Sequence, residues 1–232
     1  MINNSTPLQI AIDGPVGAGK GDIADRIAKK FSLLYINTGA MYRMLALSCI
    51  EKGVDRKNEK EVLKLLQKTK IDLRPPKEGS DKTFIGLLDN RDVTDRLLDP
   101  DVSQGSSDVA TLPEVRKHMV EMQKNMAKGK RVVMEGRDIS LRVLPEAQLK
   151  IYLTASLRER AERRQKQWLL KGITKTPDEV VEETRIRDKQ DMERQTDPLQ
   201  KLPDAWELDT TGMTQDEVIE EIGRELKRRN LI

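Results

Sequence analysis

The chain has 232 residues, and its 42 Lys and Arg stand against 39 Asp and Glu, a formal net charge of +3. That balance argues against a protein that coats nucleic acid through overall charge. Aromatic residues make up only 3%, which argues against single-strand binding by base stacking. Cys49 is the one cysteine, so no internal disulfide forms and a reducing cytoplasm is the natural setting. It lies in the apolar run Met44–Ile50 and reads as a buried core thiol.

The length suits one α/β domain with small insertions. Met1–Pro7 is short and polar, without the basic start and apolar stretch of a secretory leader. No apolar run approaches the ~20 residues of a membrane helix. Leu8–Ile12 reads as a buried first strand that ends in Asp13-Gly14-Pro15. Ile23, Ala24, Ile27, Ala28 and Phe31 recur at helical spacing, so a helix is expected from Lys20. Leu33–Ile36 reads as a second strand, Thr38-Gly39 as a turn and Met41–Lys52 as a helix.

From 53 to about 98 the pattern changes to a small mixed α/β insert. It holds a charged helix at Glu59–Lys68 and short strands at Ile71–Arg74 and Thr83–Asp89. Pro113–Ala127 is a long amphipathic helix opened by proline, and His118 on it reads as a surface or packing residue. Arg131–Met134 and Leu149–Leu153 read as strands, Arg158–Lys171 and Pro177–Arg194 as charged helices. Ala205–Leu208 is a last strand and Asp216–Arg229 a closing helix. Alternating strands and helices predict an α/β fold, a parallel sheet with helices on both faces.

The sharpest motif is the strand–loop–helix around Gly14-Pro15-Val16-Gly17-Ala18-Gly19-Lys20. Its spacing is that of a Walker A loop up to the last position. Glycines let the backbone bend so that successive N–H groups, with the positive end of the following helix, cradle phosphates. Lys20 adds a point charge for the outer phosphates. Gly21 and Asp22 follow where Ser or Thr is usual. Three readings of Asp22 stay open: repulsion of phosphate, direct approach to Mg2+, or support of the helix N-terminus by about 0.3–1 kcal/mol.

Three further clusters fit anion chemistry. Asn37-Thr38-Gly39-Ala40-Met41-Tyr42-Arg43 follows the second strand, on the edge where α/β sheets bind ligands. Thr38 offers a hydroxyl and Arg43 a two-point anion clamp, although a lone arginine also reads as a solvated surface residue. Glu135-Gly136-Arg137-Asp138 closes a buried strand. Glu135 suits Mg2+ as acidic strand ends near phosphate loops do, and Arg137 suits phosphate. Asp138 suits hydrogen bonds from a base or sugar, and a salt-bridged turn is the competing reading. Arg158, Arg160, Arg163 and Arg164 crowd one helix, and Arg185, Arg187 and Arg194 the next, with Asp188 and Asp191 between. Such a pair of helices, at about 156–195, makes a lid that excludes water and neutralises charge in phosphoryl transfer. Arg158, Lys166 and Lys171 read as spare solvated charges.

In this order the motifs resemble bacterial cytidylate kinases, within the nucleoside monophosphate kinases, over nearly the whole chain. The resemblance runs through Ile10–Pro15, Thr38–Arg43, Pro113-Glu114-Val115-Arg116, Gly136-Arg137-Asp138 and Leu208-Asp209-Thr210-Thr211. It implies a single P-loop kinase domain over 1–232, with the insert as an enlarged monophosphate-binding region. It implies transfer of the γ-phosphoryl group of ATP, with Mg2+, to CMP or dCMP by a monomer whose partners are small-molecule nucleotides. In the resemblance Gly14–Lys20 holds the ATP phosphates, and Arg43, Arg137 and Arg194 bind the acceptor's phosphate. Ser107, Arg116 and Asp138 read cytosine; Arg187 and Asp191 meet the ribose near Tyr42; Arg160, Arg163 and Arg164 are the lid arginines.

The chain departs from that family at Asp22, at Asn37 in place of Asp, and at Glu135 in place of a shorter Asp. Leu98 stands where an arginine is common, and Ser140-Leu141-Arg142 is unusual after the Gly-Arg-Asp turn. A kinase for UMP or AMP, and a nucleotide-binding protein with weakened catalysis, are the alternatives; low aromatic content argues against an RNA-binding module.

Overall fold

The computed structural model describes residues 7–77, 79–170 and 172–232. The polar start at 1–6 and Lys171, the expected end of the basic helix, lie outside them. Strands β1–β8 are Gln9–Asp13, Leu34–Asn37, Ile71–Arg74, Ile85–Leu88, Arg91–Asp92, Val132–Gly136, Leu149–Thr154 and Trp206–Asp209. Helices α1–α8 are Lys20–Phe31, Thr38–Lys52, Glu59–Leu66, Pro100–Val109, Pro113–Ala127, Leu157–Leu169, Pro177–Glu193 and Gln215–Arg228. The chain packs as two compact units, Met1–Leu33 with Lys130–Ile232, and Leu34–Gly129.

Within the first unit four strands run parallel in the order β6-β1-β7-β8. β1 is central, and Ile10, Ala11 and Ile12 are fully buried on both of its faces, so the strand reads as an unbroken apolar run. Its register sets Ile12 beside Glu135 and Asp13 beside Gly136 and Tyr152, so the motif-bearing strand ends lie together. Helix α1 buries Ile23, Ala24, Ile27 and Ala28 and packs against β6 and α8. Helix α8 returns Val218, Ile219, Ile222 and Leu226 to that core.

Helices α7 and α8 each open with a capping box, Thr176 with Glu179 and Thr214 with Glu217. The threonine side chain accepts from the glutamate's amide, and the glutamate accepts from the threonine's amide, so two orphan donors are satisfied reciprocally. At the end of α8, Arg228 and Arg229 hydrogen-bond to Glu225 and hold its carboxyl down at about 2, against the cost of burial.

In the second unit β3, β4 and β5 form an antiparallel sheet. Asp89 and Asn90 join β4 to β5 in a two-residue turn at φ 50° and 66°, the left-handed pair that a tight hairpin requires. Helix α2 is the hub. It buries Met41, Met44, Leu45, Leu47 and Cys49 and packs against α3, α4, α5, β3 and β4. Burial pushes the Cys49 thiol up to about 11, which leaves it unreactive.

The α/β class and parallel sheet are as the sequence implies, and β3 and α5 keep their expected bounds. Thr38-Gly39 is not a turn: Asn37 caps α2, its Oδ1 accepting from the Ala40 amide, and the helix begins at Thr38. Helix α4 was not expected, because Asp-Val-Ser-Gln-Gly-Ser-Ser-Asp is poor in helix formers. Packing against α2 holds it in place, with Val102 and Val109 fully buried.

Gly14 sits where β1 hands over to the loop, and a methyl group there would meet the Leu153 carbonyl oxygen of β7 at 2.0 Å. Gly14→Ala must part β1 from β7 and should cost at least about 2–3 kcal/mol. Urea unfolding checks this; an unchanged midpoint would refute the close approach.

Candidate active site

The site is built outward from the end of β1. Asp13 is buried, and its two carboxylate oxygens accept the amides of Ile139 and Ser140, each at 2.8 Å. Burial raises its carboxyl above the usual range, and those hydrogen bonds oppose the shift. Ile139–Val143 is a wide π-type helical turn. Asp13 therefore ties the phosphate loop's entry to the segment that follows Arg137-Asp138. Sequence reasoning passed over it; an acid closing an apolar strand just before the loop is the signal that marks it.

Gly17 lies at φ 77°, and a Cβ there would stand 2.6 Å from the Arg160 carbonyl oxygen, so the loop bends against α6 as only glycine allows. Lys20 is buried and donates to the Gly14 and Pro15 carbonyls at 2.9 and 2.8 Å. Burial lowers its pKa to about 7, helped by the like charge of Arg137 and opposed by Glu135, Asp191 and Asp13. The Val16 N–H donates to Asp188 Oδ1 at 3.1 Å, because a carboxylate of α7 lies against it.

Glu135 is buried at the end of β6, and its charge acts on both Lys20 and Asp22. The Asp22 carboxyl is raised first by burial, then by Asp25 and Glu135. Asp22 and Glu135 offer hard carboxylate oxygens beside the phosphate loop, the donor chemistry that Mg2+ takes. Among the described residues no three or more His, Cys, Asp or Glu are grouped to hold a metal by themselves.

Arg137 and Asp191 pair at 2.6 Å, and Arg187 stands 3.8 Å from the same carboxylate. Burial disfavours both charges, yet the pairing keeps Arg137 above and Asp191 below their ordinary pKa values. Arg194 lies 3.5 Å from Asp138, and its Nε donates to the Asp197 carbonyl at 2.7 Å. Asp197 sits at φ 50° and pairs with Arg142, so the unusual Arg142 helps fix the bend that presents this carbonyl to Arg194.

The expected lid arginines divide by what they touch. Arg160 is buried and donates to the Ala155 and Val16 carbonyls and to Asp188. Arg163 donates to Ala18 O, to Glu159, and to the hydroxyl and carbonyl of Thr210. Arg164 differs: its Nε has no hydrogen-bond partner among the described residues, and its guanidinium lies 5.4 Å from the Trp168 ring centroid. Burial lowers its pKa, Glu183 opposes this, and Arg137 adds like-charge repulsion.

The second unit holds the remaining residues. Thr38 is buried in the first turn of α2, and Arg43 Nη2 stands 3.5 Å from Asn37 Oδ1. Arg116 is fully buried, donates to the Ala110 carbonyl at 3.2 Å and stacks 5.9 Å from the Tyr42 ring centroid. Ser107 rides on α4, and its hydroxyl has no hydrogen-bond partner among the described residues. Leu98 is exposed.

A parallel-sheet strand, a glycine loop, a buried lysine opening the next helix and an arginine-rich helical pair define a P-loop phosphotransferase. A family model described as cytidylate kinase matches residues 10–228. A cytidylate kinase from Geobacillus kaustophilus is 46% identical over 215 residues, 93% of this chain and 94% of the relative. One from Carboxydothermus hydrogenoformans is 42% identical, over 96% of this chain and 99% of the relative. An uncharacterized protein from Eubacterium ventriosum shares the fold at a TM-score of 0.53 and 11% identity, over 96% of this chain and 99% of that one. The chain belongs to the cytidylate kinase family.

Lys20 should be visible in the pH dependence of stability. Its folded pKa of about 7 lies below the ordinary 10.5, so between those values the unfolded chain holds a proton that the folded one has released. Stability rises with pH across that window and levels off above it. Lys20→Met should remove this rise. Urea unfolding of both proteins from about pH 7 to 9 checks it, and parallel slopes would refute the burial cost.

Proposed function

We propose that this chain transfers the γ-phosphoryl group of ATP to CMP or dCMP, giving ADP and CDP or dCDP. The observation that carries the reading is Lys20, buried at the end of a glycine loop with its positive charge suppressed by burial and by Arg137. A phosphate chain is the ligand that restores that charge. Cytosine as the acceptor's base rests on the family to which the chain belongs.

In the proposed reaction an oxygen of the acceptor's phosphate attacks the γ-phosphorus in line, the new O–P bond forms, the bond to the β-phosphate oxygen breaks, and ADP leaves. The transition state spreads charge over the transferred oxygens, so the protein acts by positioning and by placing positive charge. Mg2+, when bound through Asp22 and Glu135, neutralises charge on the phosphates. Gly14 to Gly21 and Lys20 hold the ATP phosphates. Arg43, Arg137 and Arg194 take the acceptor's phosphate, and Ser107, Arg116 and Asp138 read its base. Arg187 and Asp191 take its ribose near Tyr42. Support for Ser107 comes from its unpartnered hydroxyl, and for Arg116 from its burial on Tyr42.

Among the lid arginines, Arg164 is assigned the developing charge. Arg160 and Arg163 are engaged with backbone carbonyls, whereas Arg164 lacks a partner at Nε and is repelled by Arg137. The proposed setting is a monomer in the cytoplasm. The single buried thiol accords with a reducing compartment, and among the described residues no helix is long and apolar enough to cross a membrane.

A coupled assay of ADP release with ATP, Mg2+ and each of CMP, dCMP, UMP and AMP should show turnover with the cytidine nucleotides above the others. ATP binding without turnover of any acceptor would refute the kinase reading. Arg164→Gln should lower kcat by roughly 10²–10³ with little change in KM for CMP. A comparable loss confined to KM would move Arg164 from the transition state to ground-state binding.

A further inference from the structure

Val16 is gripped through both of its backbone polar groups. Its N–H donates to Asp188 Oδ1 at 3.1 Å, and its carbonyl accepts from Arg160 Nη1 at 2.9 Å. The same Arg160 Nη1 reaches Asp188 Oδ2 at 2.5 Å, so the two side chains close a ring around Val16, holding the peptide units on either side of its Cα. Both are buried, and Arg160 is anchored further by donating through Nε to the Ala155 carbonyl at 2.9 Å. Buried charged pairs have little tolerance for loss of one member. Held on both sides, the two peptide planes that meet at Val16 are restrained relative to each other.

We propose that Arg160 and Asp188 are positioning residues that set the conformation of the phosphate loop at Val16 from the helical pair above it. The proposal rests on the reading of Gly14–Lys20 as the ATP phosphate loop. It removes Arg160 from the group that meets transferred phosphate, and it gives Asp188 a task distinct from that of Asp191 one turn on. Val16 contributes its N–H to Asp188. The cradle for phosphate is left to the amides from Gly17 onward, held at an angle that the clamp dictates. Helices α6 and α7 are packed together, so the pair also links the lid's own packing to the loop.

The test uses the full chain with Asp188→Asn and Arg160→Lys, each close in size to the residue it replaces. Asp188→Asn turns a donor toward Arg160, and Arg160→Lys cannot reach two carbonyls and a carboxylate at once. Without nucleotide, the Val16 amide should exchange with solvent roughly tenfold faster in both variants, read by NMR. KM for ATP should rise roughly tenfold while KM for CMP holds. Unchanged Val16 exchange would overturn the proposal. So would an equal rise in both KM values that tracks the loss of thermal stability, which marks a general packing role. Wild-type protein that binds no ATP would overturn the kinase reading. The exchange comparison, made without nucleotide, still decides the clamp.

Discussion

A lysine held out of water, its pKa lowered to about 7 by burial, is the constraint around which the first unit is arranged. Burying an isolated positive charge is costly, and it persists only where carbonyls and carboxylates surround it. Lys20 has two loop carbonyls, and the charges of Glu135, Asp191 and Asp13 act in its favour. Each of those acids belongs to a different strand end or helix. Glu135 closes β6, Asp13 closes β1, and Asp191 sits on α7. The sheet register and the packing of α7 are therefore requirements of the lysine as much as of the core. A shift of one residue between β1 and β6 would move Glu135 and Asp13 to new neighbours.

The carboxylates of α7 are divided among the arginines with little redundancy. Asp188 goes to Arg160 and Asp191 to Arg137 and Arg187. Asp138 and the Asp197 carbonyl go to Arg194. Arg164 stands apart, repelled by Arg137 and only partly offset by Glu183. Phosphoryl transfer depends on how positive charge is placed more than on any single group. In the second unit the same economy appears around α2, where Asn37 both caps the helix and faces Arg43 without adding a negative charge.

Much of this was legible in the sequence because it rests on local rules. The β1 run, the glycine spacing and the periodicity of α1 each announce themselves within a few residues. The proline at the start of α5 sets its first turn in the same local way. Helix α4 was illegible, since its serines, glycine and aspartates favour turns and only packing on α2 makes it helical. Thr38-Gly39 misled for a similar reason: the helix-start signal was Asn37, one residue earlier. The contacts of Asp13, Asp188 and Asp197 were hidden because their partners lie far away in sequence. Ile139 and Ser140, Val16 and Arg142 are more than fifty residues from the acids that bind them. The arginines were visible as a cluster, but which of them serve structure and which face substrate depends on contacts that spacing does not encode.

The capping box at the start of α7 has a consequence for how the helical pair is made. Thr176 and Glu179 satisfy each other's terminal amides, and Lys175 is drawn over the Trp168 ring at 3.6 Å while pairing with Glu183. The first turn of α7 is thereby self-sufficient, and the connection back to α6 is stapled by residues of its own. The functional acids lie at the opposite end of the helix, where no such closure exists. Mechanical integrity and chemical engagement are segregated along one rod.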